Sequence, residues 1–250
     1  MQRTGNPAFS ASVLDKIAVT GKNAMTVKGT YVKTFFLLLI VIVSAGASWQ
    51  WMQESIVNSD VRWLPLWIAS LVSLFMGMVI AFNPKKAALL SVPYALIQGA
   101  FLGIISGVFA QVYDGIVGQA VFTTLAVFLA VFAGYSLGVL RATATFARII
   151  ITAMLGIIMY SMLSWIFSLF TAKTPVIYSY GNWGIAFSVA VVVVAALSLV
   201  LDFDFIDRAA KEKYPKYFEW YGAFGLMVGL IWLYIEILRL MAKIAARSQR

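Results

Sequence analysis

Five acidic side chains lie in or beside the most apolar part of the chain: Asp202, Asp204 and Asp207 at the end of one long apolar run, and Glu219 and Glu236 in the next. A carboxylate within a bilayer-spanning segment is costly, so each one there is a functional-site hypothesis by default. Two of them brought together in a poorly hydrated site would hold one shared proton rather than two negative charges, which makes a pH sensor by construction. The same pair would offer the oxygen ligands that a hard cation such as calcium takes.

Helical geometry separates these acids into different cases. At about 100° per residue, Asp202 and Asp204 point about 200° apart and cannot both face one partner. Asp207, beside Arg208, reads as loop charge. If the chain folds back near Lys211, a residue nine before that pivot is level with one about nine after it, which sets Glu219 opposite Asp202. Glu236 has Arg239 three residues later, the spacing of an ion pair on one helix face, and the alternative is that Glu236 faces the bundle axis and controls passage. On the basic side, Lys85, Lys86 and Arg141 are orientation charges that could also latch onto the acids. Gln98, midway along an apolar segment, should face protein rather than lipid.

The elements that carry these groups are set by composition. The 250 residues are 62% hydrophobic and only 12% charged, far from the roughly 45–50% apolar content of a soluble domain, so this is an integral membrane protein. Seven apolar segments are each about long enough to cross a hydrocarbon core roughly 30 Å thick: about 32–51, 62–82, 87–110, 116–140, 149–170, 183–205 and 218–241. The predicted fold is all-α, a seven-transmembrane-helix bundle whose neighbours pack as antiparallel hairpins, with connections of about 12 residues around 173–181 and 206–217. Residues 1–30 read as a polar cytoplasmic tail with no signal-peptide core, 31–242 as the transmembrane domain and 243–250 as a short basic tail. Glycines at four-residue spacing, Gly99, Gly103 and Gly107 with Gly134, Gly138, Gly225 and Gly229, predict close helix approach.

Several function classes are excluded or weakened. The chain has no Cys and no His, which removes thiol chemistry, the usual zinc ligands and every imidazole-dependent triad. Neither Ser nor Lys is placed as a convincing nucleophile and base, so no enzyme is expected, and no cofactor. The net charge of +9 lies in short loops and at the two ends, where it reads as a topology signal rather than a nucleic-acid surface. With the amino terminus inside, 13 of the 19 Lys and Arg fall on the cytoplasmic side, which sets the expected orientation. Arg239, Lys243, Arg247 and Arg250 then lie outside if the last helix crosses fully, the expected case; the alternative is a re-entrant last segment that returns inside. No internal repeat is visible, which weighs against a carrier built from inverted halves.

Four stretches resemble the bacterial branch of the Bax inhibitor-1 family: Ser91–Gly103, Gly115–Ala120, Leu199–Ile206 and Glu219–Gly225. The resemblance covers nearly the whole chain after residue 30. It implies a seven-helix fold with the last helix central, in a bacterial inner membrane with the amino terminus cytoplasmic. It further implies a pH-sensitive calcium leak, gated by acids on helices six and seven and bound by a basic latch. Asp202 matches the acid on helix six, and Leu233–Leu238 resembles the stretch carrying the second, which selects Glu236 as its partner around the metal. Lys85 and Lys86 occupy the place of the latch, and Gln98 stands where related sequences carry Glu. The residues' own geometry selects Glu219 instead, so both stay candidates, and Asp204 with them. The expected partners are the lipid bilayer and calcium ion. The alternative function is a non-conducting interaction protein that regulates a membrane protease or another helical partner.

Overall fold

The computed structural model describes residues 24–57, 64–170 and 180–248, and these form seven helices. They are α1 (Val27–Val57), α2 (Leu64–Phe82), α3 (Ala87–Val112), α4 (Ile116–Ser136), α5 (Ala144–Phe170), α6 (Asn182–Lys211) and α7 (Phe218–Ser248). Six are long and apolar enough to cross a bilayer, and α2 carries a shorter apolar run, Ile68–Phe82. The protein is therefore a helical membrane protein. Residues 1–23 and the 171–179 connection lie outside the described residues.

Local chemistry places the breaks. Pro84 cannot continue the hydrogen-bond ladder of α2, and with Lys85 and Lys86 it forms one 3-10 turn that leads into α3. Gly138 takes φ 73° just after α4, a left-handed conformation that glycine reaches without steric cost. That turn ends α4 at Ser136, four residues before the apolar run ends. The reverse holds for α6, which continues past its apolar run to Lys211 because Arg208 and Lys211 in its last turn complement the negative end of the helix. Asp207 is thus a helical residue rather than a loop residue, and the α6–α7 connection is six residues, 212–217, rather than twelve.

Packing is not a simple series of hairpins. The main partner of α1 is α3, and α2 packs on the outside of α3. Gly99 and Gly103 are the cause: a β-carbon on Gly99 would stand 2.5 Å from the Val41 carbonyl, and one on Gly103 would stand 2.1 Å from that of Ala45. The two backbones meet where no side chain intervenes.

Helix α7 packs against α1, α3, α4 and α6, and half of its apolar stretch is buried, a larger share than in the other spanning helices. One face joins a cluster with Leu199, Phe203 and Ile206 of α6, around which Phe128, Phe132 and Tyr135 of α4 set their rings 5.3–6.0 Å from that of Phe203. The opposite face joins Leu37 and Val41 of α1, Ile80 of α2 and Tyr94 of α3, where Tyr94 meets Phe224 edge-on at 4.9 Å. Outward-facing Phe35, Phe75, Leu163 and Phe167 are exposed, as lipid-facing side chains should be.

Candidate functional site

Asp202 sits on the face of α6 that meets α7. Its Oδ1 is 3.8 Å from the β-carbon position of Gly225, and its Oδ2 is 3.0 Å from that of Gly229. Among the described residues the carboxylate has no ion-pair or hydrogen-bond partner. It opens instead onto a cleft of about 250 Å³ walled by Ala81, Phe205, Tyr221 and Phe224. Glycine lets it approach this closely: a β-carbon at 229 would press on both the carboxylate and the Leu199 side chain, each 3.0 Å away.

Neither sequence candidate on α7 reaches Asp202. Nine residues back from Lys211 matches nine residues on from Phe218, which is Met227, flanked by the two glycines. The six residues of the turn add no rise along the bundle, and counting them as helix is what set Glu219 opposite Asp202. From the level of Met227, Glu219 lies about 12 Å along α7 in one direction and Glu236 about 13 Å in the other, at 1.5 Å per residue.

Both glutamates are held elsewhere. Glu219, 2% exposed, accepts hydrogen bonds from the Thr26 backbone N–H at 3.0 Å and its hydroxyl at 2.9 Å, and is ion-paired with Lys33. The Lys33 ammonium also lies 5.5 Å from the Trp220 ring centroid. The carboxylate occupies the first turn of α7, where the helix dipole favours negative charge. This contact ties the start of α1 to the start of α7, reinforced by Met25 N–H donating to the Tyr214 carbonyl at 2.7 Å. Glu236 is paired with Arg239 of its own helix, accepting from Nη1 at 3.0 and 3.3 Å.

Asp204 and Asp207 face a second, separate cleft near the α4–α5 turn. Asp204 is paired with Arg208 at 2.5 Å, and Asp207 accepts a hydrogen bond from the Tyr135 hydroxyl at 2.8 Å. The opposed directions expected of Asp202 and Asp204 are thus realised as two clefts. Arg141 lines that second cleft, and its Nε donates to the Gly138 carbonyl at 2.9 Å. Lys85 and Lys86 are exposed on their turn and make no ion pair among the described residues. Gln98 donates to the Tyr94 hydroxyl at 3.0 Å, within the protein as expected.

A family profile described as Bax inhibitor 1 like matches residues 6–246. The chain belongs to the Bax inhibitor 1 like family. No curated protein matches it. For a Bax inhibitor 1 like chain, the contact with the look of a latch is Lys33–Glu219, between α1 and α7, and it does not involve Asp202. Sequence reading missed Lys33 and Thr26 as partners, although Thr26, Thr30 and Lys33 share one helix face by their spacing of four and three residues. It also missed Lys243, 3% exposed, which donates to Ser188 Oγ at 2.8 Å and to the Gly184 carbonyl at 3.1 Å. The signal was its position seven residues after Glu236, on the same face of α7.

Proposed function

We propose that this protein is a pH-sensitive cation leak pathway, for calcium, in a bacterial inner membrane with its amino terminus cytoplasmic, and that Asp202 gates it against an axial α7. The single observation carrying this reading is the Asp202 carboxylate, set without a partner among the described residues between Gly225 and Gly229 inside a membrane-spanning pair. A neutral carboxyl there can donate a hydrogen bond to α7, whereas an ionised one calls for a cation in the adjoining cleft. Its protonation therefore changes both how the two helices are held and what the cleft can admit. Among the described residues no three acidic groups converge, and calcium takes six to eight oxygens. One carboxylate suits an ion in passage better than a resident one.

The rival reading, a non-conducting partner protein, drew on the glycine stripes as its surface. Gly99 and Gly103 are spent on α1, and Gly225 and Gly229 on Asp202, so a partner would need another face. The deciding measurement is calcium flux into proteoliposomes across a pH series. Asp202→Asn should flatten the pH dependence, and Glu236→Gln, whose parent side chain is already neutralised by Arg239, should change it less. Parent and Asp202→Asn profiles that coincide at every pH would overturn the proposal.

A further inference from the structure

The cleft between α1, α4 and α6 has a volume of about 510 Å³ and is distinct from the one at Asp202. Its walls bring two opposite charges to one space. Asp207 spends one oxygen on Tyr135, and the other has no partner among the described residues. Arg141 spends its Nε on the Gly138 carbonyl, and its two terminal nitrogens have no partner among them either. The two groups line the same cleft without pairing with each other. Rings of Tyr31 and Phe132, edge-on at 6.0 Å, complete the wall. An aromatic wall beside a carboxylate suits an ammonium group, and a guanidinium fork suits a phosphate.

Tyr31 is also shared with a shallow, open apolar groove along the outer side of α1, lined by Val32 and Phe35 and bordered by Lys28. Val32 and Phe35 are 59% and 64% exposed, and Lys28 is exposed at the rim. A polar cleft of both charges that adjoins an apolar groove on a membrane-spanning helix has the form of a headgroup with its chain.

We propose that this paired cleft and groove is a binding site for a zwitterionic aminophospholipid. The ammonium lies against Asp207 and the aromatic wall, the phosphate between Arg141 and Lys28, and an acyl chain along Val32 and Phe35. The Asp204–Arg208 pair neutralises Asp204 and leaves Asp207 as the unpaired carboxylate of the cleft. Such a lipid would bridge α1 to the α4–α5 turn, two parts of the chain that join otherwise through the bundle core.

Delipidated full-length protein in detergent, titrated with short-chain phosphatidylethanolamine and followed by native mass spectrometry, tests this. The expected result is one saturable adduct, bound at least five-fold more tightly than phosphatidylglycerol of the same chains. Asp207→Asn and Arg141→Gln should each weaken it at least five-fold, and Phe35→Ala should weaken it as well. Arg141 is exposed on a turn, so Arg141→Gln keeps the test valid if Asp207→Asn fails to fold. Equal affinity for the two lipids, or unchanged affinity in Arg141→Gln, would overturn the proposal. Free phosphoethanolamine binding as tightly as the lipid would overturn it too, by assigning the cleft to a soluble zwitterion.

Discussion

Oδ2 of Asp202 stands 3.0 Å from the point where a β-carbon on Gly229 would lie, so α6 and α7 meet there with no side chain of α7 between them. Gly229→Ala would force the carboxylate and Leu199 aside together. Overpacking of this kind costs about 1–3 kcal/mol. The expected outcome is a lower thermal midpoint together with an altered pH profile of calcium flux. A variant with parent-like flux at every pH would separate the glycine from the gate.

Lys33 and Glu219 pair two helices far apart in sequence, the glutamate buried at 2% exposed and the lysine half-buried at 21%. Removing one partner of such a pair leaves an uncompensated charge and costs about 3–5 kcal/mol, whereas replacing both is often nearly neutral. Lys33→Met should therefore be strongly destabilising in denaturant titration. The double variant Lys33→Met/Glu219→Gln should recover most of the loss.

Two helical glycines predict opposite results. A β-carbon on Gly103 would lie 2.1 Å from both the Ala45 carbonyl oxygen and Ser48 Oγ, and a backbone oxygen cannot swing away. Gly103→Ala should lower stability by about 1–3 kcal/mol. Around Gly156 there is nothing within 4 Å, so Gly156→Ala should gain up to about 1 kcal/mol from helix propensity alone. Thermal denaturation of the two variants side by side checks both signs.

Tyr214, in the α6–α7 turn, has its phenol pushed above the ordinary value of 10.0, first by burial and then by the charge and hydrogen bonding of Glu212. The folded state thus favours the protonated phenol. Its contribution to stability is fully present below pH 10 and is lost as pH rises through the higher folded value. Tyrosinate absorbance of the parent minus that of Tyr214→Phe should show a midpoint above 10. A midpoint at or below 10 would contradict the burial seen in the turn.

Much of the architecture could be read from sequence because a bilayer demands long apolar runs, and such runs are visible without knowing what they touch. The α6 acids were also legible, since Asp202 interrupts one of those runs. The level of its neighbours was not, because it depends on whether residues 212–217 advance along the bundle axis or only turn. Glu219 was noticed as an acid, but its partners Thr26 and Lys33 lie 193 and 186 residues away, and no local pattern reports a contact of that span. The pairing of α1 with α3 was half visible: the Gly99–Gly103 spacing announced a close approach without saying which helix would fill it.

That pairing bears on how the chain is made. Of the seven described helices α1 leaves the ribosome first, yet its main partner is separated from it by α2, and its ion-pair partner comes with α7. Until α7 arrives, Lys33 has no carboxylate and the Asp202 carboxylate faces no glycine wall. A chain that stalls before α7 therefore carries Lys33 unmatched and Asp202 unshielded in the membrane. These are the kind of flaw by which quality-control proteases could tell an unfinished copy from a complete one.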